Sequence, residues 1–230
     1  MLIAEDLLLL LTDDATGKLC LPVAQVDLAL AGASLIELAL MNRIELAPDQ
    51  DDHRKARVVV RDSAPTGDDV LDVALEALDA DPAKRPEAAV RTLAKHVRER
   101  LYVRLVAGGL LRSESTRTWG IFPTKAWPAA DSGHEAELRR VITDTLVRAL
   151  PTDAHTAALI ALLRALRAEQ QTVDMRPSGL SKVDVRARAA QVADGNWAAD
   201  AVRKAVDEIL AAVIAATTAA ASTVVLPGAS

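Results

Sequence analysis

Arg91, Lys95 and Arg98, with Tyr102 one step further along and Arg104 close by, are the residues of this chain best suited to hold an anion. Steps of four, three and four put the first four side chains on one ridge of an α-helix. Cations so arranged donate several charge-assisted hydrogen bonds to phosphate oxygens, and a guanidinium can do so bidentately. The surrounding segment is electrically distinct. From Arg85 to Lys125 nine basic side chains stand against three acidic ones, a local excess of six in a chain of formal net charge −5. Such segregation makes an anion-attracting patch on an otherwise acidic protein. The same periodicity also fits a solvated helix flank, and spacing alone leaves the two open.

Catalytic signatures are missing from the sequence. No G-x-S-x-G elbow, Walker loop, G-x-G-x-x-G fingerprint or H-E-x-x-H pair occurs, and His53, His96, His134 and His155 are scattered. Cys20 has no partner for a disulfide or a zinc site and sits among apolar neighbours, which predicts a buried, inert thiol. Asp49, Asp51, Asp52 and His53 lack the glycine and terminal glutamate of a calcium loop and read as a solvated acidic turn. The expectation is a non-enzyme with no metal and no cofactor.

The elements that must position the basic ridge follow from composition and pattern. The 230 residues are 50% hydrophobic but only 2% aromatic, so the core is aliphatic and Ala-rich, a composition that favours helices. Ile3 to Leu11 reads as a short apolar helix, and Asp13 to Lys18 as the turn of a small hairpin leading to Leu19–Leu21. Val23 to Met41 is apolar almost all round, interrupted by Gln25, Asp27 and Glu37, and is expected to be the central helix. Arg43–Leu46 and Arg57–Val60 read as paired strands. A turn at Asp62–Asp69 opens a helix to about Leu78. The basic helix runs from Pro86 to the glycine stop at Gly108–Gly109, with Val90, Ala94, Val97, Leu101 and Leu105 facing inward. Helices at about 131–150, 152–169, 182–193 and 197–221 complete the chain. The predicted fold is mainly α: a single-domain helical bundle, 1–230, around a central apolar helix, with two or three short β-hairpins.

The N-terminus carries acids where a secretory signal places Lys or Arg, so the chain is expected in the cytoplasm. Ile209 to Leu226 has no charge, but its Ala and Thr content reads as a buried bundle helix. Three of the five aromatics, Trp119, Phe122 and Trp127, cluster beside the basic helix. Leu110–Leu111 and Trp119–Phe122 flank a polar turn and read as a hairpin carrying Trp119, Ile121, Phe122 and Trp127, a set suited either to the membrane–water interface or to folding back over the core.

Four stretches carry a family resemblance: Glu5-Asp6-Leu7-Leu8-Leu9-Leu10, Leu35-Ile36-Glu37-Leu38-Ala39-Leu40, Asp62-Ser63-Ala64-Pro65-Thr66-Gly67-Asp68 and His96-Val97-Arg98-Glu99-Arg100-Leu101. In this order and spacing, from about Ile3 to Ala216, the chain resembles the Golgi phosphoprotein 3 family. The abundance of Arg and Ala fits a prokaryotic member from a high-GC genome. The resemblance implies a helical, non-catalytic adaptor that sits on membranes by recognising phosphatidylinositol 4-phosphate. The implied headgroup pocket has a Trp and an Arg near the second helix and two basic residues three apart on the Val-Arg-Glu-Arg helix. The second pair maps onto Lys95 and Arg98, whereas the first falls on Pro22 and Ala31. A basic N-terminal extension for coat binding is expected to be absent, because the sequence opens at the first helix.

The expected partner is therefore an anionic phospholipid surface on the inner face of the membrane. Lys95 and Arg98 are the main headgroup ligands, and Arg91, Tyr102 and Arg104 support them. Trp119, Ile121 and Phe122 form a hairpin for membrane contact or homo-oligomerisation. Two other readings fit the same residues: a winged-helix-like DNA-binding regulator, which the acidic remainder disfavours, and a protein–protein adaptor without lipid binding. No nucleic acid partner is expected.

Overall fold

A computed structural model of the protein describes residues 1–48, 56–81, 84–118, 122–172, 181–195 and 200–222. The fold is mainly helical, with two short antiparallel strand pairs. The central element is α2 (Val23–Leu40), whose side chains are buried on nearly every face. Around it pack α1 (Ile3–Leu10), α3 (Asp69–Asp79), α4 (Pro86–Leu93), α5 (Val97–Ala107), α7 (Ala154–Ala165) and the long C-terminal α10 (Asp200–Ser222). An outer layer of α6 (Gly133–Arg148), α8 (Glu169–Thr172) and α9 (Lys182–Gly195) covers α7.

One contact explains how α10 reaches α2. A Cβ on Gly32 would sit 2.3 Å from a methyl of Val213, so only glycine lets the two helices touch there. By length and composition alone α2 and α10 could each cross a bilayer, but two-thirds of the relevant stretch of α2 is core.

The strand pair β1 (Ile44–Pro48) and β2 (Ala56–Val60) sets Ile44 opposite Val60 and Pro48 opposite Ala56. The acidic run at Asp49, Asp51, Asp52 and His53 lies outside the described residues. The pair β3 (Glu114–Thr118) and β4 (Phe122–Ala126) follows α5 after the glycine stop, where Gly109 takes a positive φ of 75°. The Asp13–Lys18 turn closes with one bridge between Thr12 and Leu19. Its Gly17 has φ +64° and abuts the backbone of Trp127 and Pro128, where a Cβ would come within 2.3 Å. The chain after β4 is thereby fastened to the chain after α1.

Three expectations are corrected. The second hairpin lies further along the chain: its strands are Glu114–Thr118 and Phe122–Ala126, so most of the segment read as its polar turn is itself a strand. Cys20 is exposed rather than buried. Leu19 turns toward the core at its bridge, and alternation along extended chain then points Cys20 outward. The basic helix is also not continuous: α4 ends at Leu93, a turn occupies residues 94–96, and α5 starts at Val97. His96 leaves helical geometry at φ −138°. Apolar spacing runs straight through this break, because Val90, Leu93, Val97 and Leu101 are buried on either side of it. Periodicity of burial therefore carries no sign of it.

Candidate functional site

The turn between α4 and α5 decides where the basic side chains go. Arg91 stands exposed on α4, Lys95 and His96 are exposed on the turn, and Arg100 is exposed on α5. Among the described residues none of Arg91, Lys95 and Arg100 has a carboxylate partner within ion-pair distance. Arg98 is different. Its Nε donates to Asp27 Oδ1 on α2 at 2.6 Å, and its Nη2 donates to Glu99 Oε1 at 3.1 Å. Both partners of the first bond are largely covered, with side chains 15% and 22% exposed, whereas Glu99 is mostly in solvent. Burial pushes the Asp27 carboxyl above the usual aspartate range, and this outweighs the opposing pull of the Arg98 hydrogen bond and charge.

The remaining predicted ligands have internal partners. Tyr102 is 2% exposed, and its ring stacks on Trp127 with centroids 3.9 Å apart and planes within 5°. Its buried hydroxyl faces Thr12 without closing a full hydrogen bond, and burial outweighs that contact to raise the phenol above its ordinary pKa. Arg104 is held by three carboxylates: Nε by Glu5 at 3.1 Å, and Nη1 by Asp68 at 2.6 Å and Asp69 at 3.1 Å. Asp68 is also the N-cap of α3, accepting from the amides of Val70 and Leu71, so Arg104 joins α5 to both α1 and the start of α3. Trp119 and Ile121 lie outside the described residues. Phe122 is described as the first residue of β4, paired with Thr118.

Arg100 and His96 also edge a groove of about 90 Å³ between α3, α4 and α5, floored by Val70, Ala74, Leu93 and Val97. Neither Lys95 nor Arg98 lines it. Lys95 lies on the turn, and Arg98 points instead to Asp27 on α2.

A second charged cluster lies on α1. Both oxygens of the buried Asp6 are engaged by histidines: Oδ1 is 2.7 Å from Nε2 of His134, and Oδ2 is 2.7 Å from Nε2 of His155. On the next helix Glu37 accepts from the Ile3 amide at 2.7 Å. Among the described residues no group of three or more His, Cys, Asp or Glu is placed to hold a metal ion.

Sequence reasoning did not find Asp27 as a member of the site, nor the histidine engagement of Asp6. A signal for Asp27 was present. It is one of the few charges interrupting an otherwise apolar central helix, and a carboxylate taken into such a setting needs a counter-charge. The partner lies 71 residues away, which spacing rules for a single helix do not reach.

Comparison with known proteins finds both a family and a relative. The family described as Golgi phosphoprotein 3 (GPP34) matches residues 3–209. Vacuolar protein sorting-associated protein 74 of Eremothecium gossypii is 30% identical over 163 residues, covering 62% of this chain and 48% of the relative. The chain thus spans about half the length of that curated protein.

Proposed function

This chain belongs to the Golgi phosphoprotein 3 family, and from that premise we propose that it is a non-enzymatic peripheral membrane adaptor docking on anionic phospholipid through the α4–α5 turn. Lys95 and Arg98 hold headgroup phosphate, phosphatidylinositol 4-phosphate being the headgroup that family likeness implies, and Arg91 and Arg100 add attraction at longer range. The observation that carries this reading is the set of exposed cations at the turn without carboxylate partners, on a chain whose net charge is −5. Tyr102 and Arg104 act from behind: the first packs the site against Trp127, and the second fixes the far end of α5. The β3–β4 hairpin, next in the chain, supplies membrane contact or self-association. Docking is reversible and takes place on the cytoplasmic face.

Each near-surface cation contributes about 1 kcal/mol, so three or four give weak, salt-sensitive binding. Pro22 and Ala31, standing where the family pocket has an aromatic and an Arg, make this site shallower in donors than the family pattern. The test is co-sedimentation with neutral vesicles, vesicles containing phosphatidylserine, and vesicles containing phosphatidylinositol 4-phosphate. Binding is expected only to the anionic vesicles and to fall steeply with added salt. On phosphatidylinositol 4-phosphate vesicles, Lys95→Ala combined with Arg98→Ala should weaken it at least tenfold, about 1.4 kcal/mol. Failure to bind any anionic vesicle at low ionic strength, or binding indifferent to the double substitution, overturns the proposal.

A further inference from the structure

Arg98 already holds an anion. Its Nε edge, the edge a phosphate oxygen would take, is filled by Asp27 at 2.6 Å. The carboxylate comes from a different element, α2, so it is not a neighbour forced there by helix spacing. Nothing else ties it down: Arg98 is the one hydrogen-bond partner of the Asp27 carboxylate among the described residues. With side chains 15% and 22% exposed, the pair is reachable from solvent without opening the core.

We propose that Asp27 is the selectivity determinant of this headgroup site. Its carboxylate stands in for phosphate on Arg98, so a ligand gains Arg98 only by displacing it. This rests on the docking surface proposed above. A carboxylate and a phosphodiester each carry a single negative charge, so a diester lipid such as phosphatidylglycerol has no electrostatic advantage in the exchange. A phosphomonoester carries about −1.5 to −2 at neutral pH and offers three acceptor oxygens, so it does. The site therefore discriminates by charge on the phosphate: monoester headgroups exchange with Asp27, while diester headgroups meet only Lys95 and the outlying cations. Glu99, on the other edge of the guanidinium, is mostly solvated and competes little.

The experiment compares wild type with Asp27→Asn on vesicles containing phosphatidic acid or phosphatidylinositol 4-phosphate, and on phosphatidylglycerol vesicles of matched surface charge. Asparagine keeps an oxygen for the Arg98 Nε bond while removing the charge. The expected result is about fivefold stronger binding of the variant to phosphatidylglycerol, the factor supplied by one released near-surface cation. The gain on monoester vesicles is smaller, so the selectivity ratio falls. Adding Arg98→Ala to the variant abolishes the gain. A merely structural Asp27 would change melting temperature but leave that ratio where it was. If the asparagine variant does not fold, Asp27→Ser, which also keeps an oxygen without charge, answers the same question. An unchanged ratio, with wild-type binding still sensitive to Lys95→Ala and Arg98→Ala, overturns this inference and leaves the docking surface standing. No binding by either protein to any vesicle overturns both.

Discussion

Arg98 and Arg104 lie on the same helix, six residues apart, and both meet carboxylates, yet the two arrangements differ in kind. Arg104 has three partners from two other segments, and one of them, Glu5, is nearly sealed from water with its second oxygen accepting from the Leu2 amide. Removing any one contact leaves the others in place, and the guanidinium has nowhere better to go. Arg98 has one covered partner, Asp27, and one solvated neighbour, Glu99. A guanidinium held at several points is a tie rod, whereas one held mainly at one point can change partners. Sequence spacing presents both residues equally as candidate phosphate ligands; the number and burial of their counter-charges separates them.

The hardest blow to this comparison would be an Arg104 that can be removed without cost. Arg104→Ala strands a buried Glu5 carboxylate and frees the N-terminus of α3, and is expected to destabilise by about 2–3 kcal/mol, less than a fully buried pair because Arg104 is partly exposed. Arg98→Ala should cost only about 1 kcal/mol, since Asp27 is left with a route to solvent. Chemical denaturation of the two variants measures the gap, and equal losses would erase the distinction.

A smaller effect sharpens the same contrast on α1. Asp6 is engaged from α6 by His134 and from α7 by His155, with Glu37 of α2 and Asp153 at the start of α7 also acting on His155. The hydrogen bond to Asp6 raises His155 above its usual value of 6.5, opposed by burial and helped by the neighbouring carboxylates. A raised histidine makes the folded state hold its proton more tightly than the unfolded one. This stabilisation is complete below pH 6.5 and is lost as pH rises through the folded value. Melting temperature should therefore fall as pH is raised above 6.5. His155→Gln should flatten that slope and cost about 1 kcal/mol at pH 6. A slope that survives the substitution places the titrating group elsewhere.

How much of this was legible in the sequence depends on whether the deciding contact is local. The helices and the first strand pair were, because burial imposes a 3.6-residue rhythm on Val26, Leu30, Ala33 and Ile36, and because turn and cap residues such as Gly17, Asp68 and Gly109 mark the ends. The second pair was not placed, because its first strand, Glu114–Thr118, is polar throughout and reads as a turn. The break at residues 94–96 was not, since the apolar stripe passes through it and no proline or glycine marks it. Cys20 was misjudged because its neighbours in sequence are apolar while its direction is set by a bridge one residue earlier. The candidate site was half legible: Lys95 and Arg98 could be picked out by type and spacing. What Arg98 and Arg104 touch depends on Asp27 and Glu5, which tertiary packing brings from about 70 and 100 residues away. The interruption of α2 by Asp27 was the visible trace of the first of those partners.

The most direct test follows the arginine side chains themselves. In a titration with glycerophosphoinositol 4-phosphate, the Nε–H resonances of ¹⁵N-labelled protein report each guanidinium separately. Arg98 should shift saturably, together with the Lys95 ammonium, while Arg104 stays in place. A titration that moves Arg104, or that leaves Arg98 where it was, contradicts the account.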